Sequence, residues 1–177
     1  LLVDDCVVSD LDVNHTFNFL GAAKSTFAGN IDIRGSRFSN VTGAIIEMDK
    51  ETDDLGLYNV EYLSIVGSSF TNIGKAVAVL YRCCTDESTF GPHFSLRDSV
   101  LDNVGANKRN KSGASVSLHG VQVADIDTNI FRDSKPVRVV LTVGDPVTRI
   151  NGNLFKATPA PEVFNGEIEM SGHKVSE

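Results

Sequence analysis

The sequence predicts an all-β fold, a right-handed parallel β-helix of about six coils, on three observations. A nine-residue unit recurs six times, beginning at residues 3, 33, 65, 96, 126 and 150, so it returns every 24 to 32 residues. Short stretches with apolar residues at every second position flank the units, and no repeat carries the long 3.6-residue period of a helical solenoid. Strands this short cannot each bury a face alone. They stack instead, at about 4.8 Å per coil, into a column on the order of 29 Å tall.

Each coil supplies the same parts in order. The first unit, residues 3–11, places Val3 and Val8 in two inward columns with Cys6 between them. The second, 33–41, repeats this with Ile33, Ser36 and Phe38, preceded by Ile31 and followed by Ile45. The third, 65–73, has Ile65, Ser68 and Phe70 between Leu63 and the Val77, Val79 strand. The fourth, 96–104, has Leu96, Ser99 and Leu101 between Phe94 and the Val116, Leu118 strand. The fifth, 126–134, has Ile126, Asn129 and Phe131, followed by Val137 and Val139; the sixth, 150–158, has Ile150, Asn153 and Phe155. The column of Cys6, Ser36, Ser68, Ser99, Asn129 and Asn153 is small and polar, fit for hydrogen bonds along the stack, and Cys6 is expected as a small buried member of it. Gly, Asp and Asn beside it supply the backbone angles of the bends. Residues 1–158 are thus coils. Thr158-Pro159-Ala160-Pro161 and the chain after it depart from the repeat, so 159–177 are expected to form a capping segment of the same domain.

Composition narrows the function. Against 16 Lys and Arg stand 23 Asp and Glu, a formal net charge of -7, which argues against a nucleic-acid partner. No apolar run approaches the roughly 18 residues of a membrane span, so no membrane partner is expected. Leu1 is not Met, and Leu1-Leu2-Val3 reads as the inside of a repeat, so the expectation is a piece of a longer chain with any export signal upstream. Cys6, Cys83 and Cys84 lack both a disulfide framework and zinc-site spacing and read as free thiols.

Insertions at the bends of a solenoid build its binding face. The longest here span 49–59, 82–93 and 105–113. The third carries Lys108, Arg109 and Lys111, three cations in an acidic protein, suited to the carboxylates or sulfates of an acidic polysaccharide. His119 follows the 115–118 strand and is expected outward, beside that loop. These four are the candidate substrate-binding residues. His15, His93 and His173 show no metal spacing, and the acidic groups at Asp4, Asp5, Asp10, Asp12, Asp53 and Asp54 read as surface and turn residues. Glu167 and Glu169 are placed on one strand face with Lys174 nearby, read as an ordinary capping strand. No catalytic or metal set is assigned.

The stretch from His119 to Val137, with the repeated Gly-Ser/Asn-x-Phe units, resembles the β-helix of polysaccharide lyase family 6, which contains alginate lyases and chondroitinase B-like enzymes. The resemblance implies β-elimination on a uronate polymer, with calcium held by an Asn and two Glu, a Lys as base and an Arg assisting the leaving oxygen. Ser117-Leu118-His119-Gly120 matches the family's Leu-Arg-His-Gly run only in part, and Glu167-x-Glu169 has no matching Lys-Ser. The expectation is therefore a C-terminal accessory β-helix of an alginate-lyase-like enzyme, with no cofactor of its own and calcium in the parent enzyme. Its expected partners are an acidic, alginate-like polysaccharide, the N-terminal catalytic β-helix and a second copy in a homodimer, and its expected place is secreted or periplasmic. The alternatives are a complete catalytic lyase module and a non-enzymatic carbohydrate-binding or adhesion β-helix.

Overall fold

The computed structural model describes residues 1–19, 28–48, 60–81, 92–142 and 144–176. Its strands form three parallel sheets, and each of the first six coils contributes one strand to each. The first sheet stacks β1 (Leu2–Asp4), β4 (Ala28–Arg34), β7 (Val60–Val66), β10 (His93–Arg97), β13 (Val123–Asp127), β16 (Val147–Asn151) and β19 (Glu169–Ser171). The second stacks β2 (Val7–Leu11), β5 (Arg37–Val41), β8 (Ser69–Ile73), β11 (Val100–Val104), β14 (Ile130–Arg132), β17 (Leu154–Lys156) and β20 (Lys174–Ser176). The third stacks β3 (His15–Phe19), β6 (Ala44–Met48), β9 (Ala78–Tyr81), β12 (Val116–His119), β15 (Val137–Val140) and β18 (Glu162–Phe164). The molecule is a parallel β-helix, and the described residues contain no helix.

The repeat columns become the core through register. Val3, Ile33, Ile65, Leu96, Ile126 and Ile150 lie directly opposite one another on successive strands of the first sheet, and all are buried. Opposite them on the second sheet, Phe38 stacks on Phe70 at 5.3 Å and Phe131 on Phe155 at 4.8 Å. A parallel in-register stack sets like above like, which is why each column repeats one kind of side chain.

The polar column closes its own hydrogen bonds. The backbone N–H of Cys6 donates to Ser36 Oγ at 3.1 Å, Ser36 N–H to Ser68 Oγ at 3.2 Å, and Ser68 N–H to Ser99 Oγ at 3.1 Å. Ser99 N–H donates to Asn129 Oδ1 and Asn129 N–H to Asn153 Oδ1, each at 2.9 Å. Ser99→Ala would leave the buried Ser68 N–H without its acceptor, and the expected cost is about 1–3 kcal/mol. A urea unfolding midpoint unchanged in that variant would mean that the ladder adds nothing to stability. Cys6, expected as buried, is exposed, with Ser36 covering it from the following coil.

A second ladder runs outside, where the chain bends through positive φ. Asp10, Asn40, Asn72 and Asn103 have φ between 53° and 58°, angles that Asn and Asp tolerate better than other side-chain-bearing residues. Asn103 Nδ2 donates to Asn72 Oδ1, Asn72 Nδ2 to Asn40 Oδ1, and Asn40 Nδ2 to Asp10 Oδ1, at 2.8–3.0 Å. The Asn40 amide, joined by Ser9, holds the Asp10 carboxyl below its usual pKa. Glycine is required by close approach at Gly43 and Gly74, where a Cβ would strike the carbonyl oxygens of Asn14 and Thr42 on the preceding coil.

The segment expected to cap the column adds a strand to each sheet. Strand β18 completes the sixth coil, and Met170 on β19 stands opposite Ile150. Gly172 takes φ 62° at the bend, as Gly152 does, and Lys174 N–H donates to Asn153 O at 2.8 Å. A seventh repeat, Met170-Ser171-Gly172-His173, is hidden in the sequence because His replaces Ser or Asn and Met replaces an aliphatic residue. Glu167 precedes β19, so Glu167 and Glu169 do not share a strand face; Glu169 pairs with Arg149 at 3.5 Å.

Candidate functional site

The outer face of the third sheet carries a groove of about 490 Å³. Its floor follows from the two-residue period: with Leu80, Leu118 and Val139 buried inward, the alternating residues Val79, Tyr81, Ser117, His119, Arg138 and Val140 must point out. Register then lines them up, with Glu47, Val79, Ser117 and Arg138 in one row and Tyr81, His119 and Val140 in the next. Tyr81 and His119 stack with ring centroids 4.3 Å apart and planes 9° from parallel.

The 105–113 insertion forms the wall. Asn107 N–H donates to Gly74 O at 2.8 Å and Asn107 Nδ2 to Thr42 O at 3.3 Å, so the loop doubles back over two earlier coils. Asn110 Nδ2 donates to Gly105 O and Ala114 O, closing the loop on itself, and Ser112 Oγ donates to Asn110 Oδ1 at 2.7 Å. Arg138 Nη1 donates to Ser112 O at 3.0 Å and ties the wall to the floor. An insertion held in this way presents its side chains in fixed positions.

Of the residues singled out in the sequence, the fold brings Arg109, Lys111 and His119 to the groove, while Lys108 is exposed on the same loop and does not line it. Lys75, Arg138, Glu47 and Tyr81 join them without having been foreseen. They come from three different coils, Lys75 and Tyr81 from the third, so no cluster marks them in the chain; only aligning the third strand of every coil would have set Glu47, Val79, Ser117 and Arg138 side by side. Insertion 49–59 and residues 82–91 of insertion 82–93, with Cys83 and Cys84, lie outside the described residues.

The groove is positive within an acidic protein. Lys75, Arg109, Lys111 and Arg138 line it against one carboxylate, Glu47. Glu47 is engaged by His15 Nδ1 at 2.8 Å and faces Lys75 Nζ at 4.0 Å, while Arg138 pairs with Glu162 at 2.9 Å and lies over the Phe164 ring at 5.2 Å. Among the described residues Arg109 and Lys111 make no ion pair, so their charge is available to an anion. A smaller depression of about 220 Å³, lined by Asp12, Asn14, Thr42 and Asn107, shares Lys75 and Arg109 with the groove. Cationic and bordered by the stacked Tyr81 and His119, the groove suits a carboxylated ligand. Among the described residues no three His, Cys, Asp or Glu side chains converge.

Among solved structures the chain is similar to the PL6 family alginate lyase AlyGC, with a TM-score of 0.87 and 43% sequence identity over 97% of this chain and 24% of that one. A mutant of AlyGC matches with a TM-score of 0.86 and 43% identity over 96% of this chain. The chain thus spans about a quarter of the length of that enzyme. No family model and no curated protein matches.

Proposed function

Because the chain belongs to polysaccharide lyase family 6, we propose that it is an accessory β-helix of an alginate-lyase-like enzyme, holding the uronate polymer while a catalytic β-helix cleaves it. The observation that carries this is the groove on the third sheet, where Arg109 and Lys111 stand without carboxylate partners among the described residues. Arg109 supplies a planar fork for one uronate carboxylate and Lys111 a point charge for another. His119 and Tyr81 stack on one another in the same groove, so one face of each ring is already covered. Lys108 sits off the lining and adds only to the surrounding field.

Elimination asks more than holding: a base at the proton next to the carboxylate, and a group that neutralises the charge growing on that carboxylate. Lys75 faces Glu47 and Arg138 is committed to Glu162 and Ser112, which leaves both poorly placed for those tasks. The same proposal sets the chain outside the cytoplasm, beside an N-terminal catalytic domain and in a homodimer. Among the described residues no helix is long and apolar enough to cross a membrane.

A complete lyase module is the alternative, favoured by Tyr81 and His119, a potential acid and base lying in one groove with Arg109. Incubating the chain with alginate and following the ultraviolet absorbance of the unsaturated uronate product separates the two. The accessory role predicts no product from this chain and product from a longer family enzyme run beside it. Product from the chain alone contradicts that role and makes His119 and Tyr81 the groups to replace.

A further inference from the structure

The groove and the smaller depression beside it have two lining residues in common, Lys75 and Arg109, and both are cations. They arrive there from different coils. Lys75 stands at the bend before β9 of the third coil, where its N–H donates to Gly43 O at 3.1 Å and its side chain is only 17% exposed, so its charge is held in place. Arg109 belongs to the loop between β11 and β12 of the fourth coil and comes beside Lys75 because that loop folds back over the bends of the second and third coils.

One residue sets this fold-back. Asn107 donates its N–H to Gly74 O at 2.8 Å, next to Lys75, and its Nδ2 to Thr42 O at 3.3 Å. Its Oδ1 accepts from Arg109 N–H and its carbonyl from Asn110 N–H, each at 2.9 Å. All four of its polar groups are engaged, and one of them holds Arg109 directly. The carboxylates that border the two cavities have other donors. Glu47 is engaged by His15 Nδ1 at 2.8 Å and stands 4.0 Å from Lys75 Nζ, and Asp12 accepts from Thr42 Oγ1 at 2.9 Å. Among the described residues neither pairs with Arg109.

Resting on the holding role proposed above, we infer that the junction of the two cavities is a site for a single carboxylate, shared by Arg109 and Lys75, and that Asn107 is the positioning residue that assembles it. Arg109 offers a planar fork and Lys75 a point charge, so each grips the same carboxylate in its own way. Facing Glu47 disqualifies Lys75 as a base but not as a holder, since a holder needs only its positive charge. Two cations side by side repel; the bonds of Asn107 keep them there in the free chain, and an anion between them relieves the repulsion.

Paired replacements test the site, read as calorimetric affinity for a uronate trimer. Arg109→Ala, and Lys75→Met, which keeps the buried stem, are each expected to weaken binding about tenfold. The two together are expected to fall only about threefold below either alone, because groups that share one partner are coupled. Asn107→Ala is expected to cost about fivefold in the parent chain and no more than about 1.5-fold in a chain already carrying Arg109→Ala, where nothing is left to position. The first pair leaves the bonds of the loop untouched, so it decides the shared site even where Asn107→Ala disturbs the loop as a whole. Lys75→Met without effect, a loss of about a hundredfold from Lys75→Met with Arg109→Ala, or an Asn107→Ala effect undiminished without Arg109 overturns the inference while leaving the holding role intact. If no uronate trimer binds the parent chain, both fall.

Discussion

Replacing Phe70 with alanine is expected to lower stability by about 3–5 kcal/mol, more than the loss of the Ser99 acceptor from the polar ladder. Phe70 is fully buried on β8 in the middle of the stack. Its ring lies 5.3 Å from Phe38 on the coil before, and it stands opposite Leu101 on the coil after. In a solenoid each coil is stabilised mainly by its two neighbours, so one truncation here weakens two interfaces at once. The neighbours cannot collapse into the space, because each is fixed to its own strand by the ladder. Val7, 72% exposed on the outer face of the second sheet, supplies the control, with an expected change within about 0.5 kcal/mol on alanine substitution. Denaturant unfolding of the two variants is the measurement, and equal losses would mean that the phenylalanine column does not hold the coils together.

The second large effect concerns binding. The double replacement Arg109→Ala with Lys111→Ala is expected to weaken the hold on alginate oligomers by a factor of roughly 10–100, about tenfold for each charge-assisted contact removed. Both side chains are exposed and make no ion pair among the described residues, so the fold should be unaffected. The loop keeps its shape because its anchors are Asn107, Asn110 and the Arg138 bond to Ser112 O. Lys108→Ala, on the same loop but off the groove, is expected to change affinity no more than about twofold, through the general field alone. A loss as large from Lys108→Ala as from the double variant would show that only loop charge matters, and not the groove.

The coils were legible in the sequence because the stack is in register. Val3, Ile33, Ile65, Leu96, Ile126 and Ile150 are alike because each packs on the next, and the same physics wrote Phe38, Phe70, Phe131 and Phe155 into one column. Repetition fades where packing relaxes. Cys6 obeys the pattern yet is exposed, so the pattern places a residue in its column without fixing its burial. Met170 to Ser176 follow the coil path with substitutions that hide the repeat.

The groove was half legible for a different reason. Arg109 and Lys111 are neighbours in the chain, so their charge stands out, and His119 follows from strand alternation. Lys75, Arg138 and Glu47 are tens of residues apart in sequence and meet only because β6, β9, β12 and β15 are stacked side by side. Nothing local to Gly74-Lys75 or to Val137-Arg138-Val139 marks them as more than a bend and an outward position on a strand.

The most direct test of the central claim, that the third-sheet groove is where this chain holds an acidic polysaccharide, is a residue-by-residue map of amide chemical-shift changes on adding a uronate trimer. The expected result is a single contiguous set of shifts at Lys75, the 105–113 loop, Ser117 to His119 and Arg138, abolished by Arg109→Ala with Lys111→Ala and absent with a neutral trisaccharide. Shifts confined to the outer face of the first sheet, around Arg97, Asp125 and Arg149, or a neutral sugar that shifts the groove equally, would contradict it.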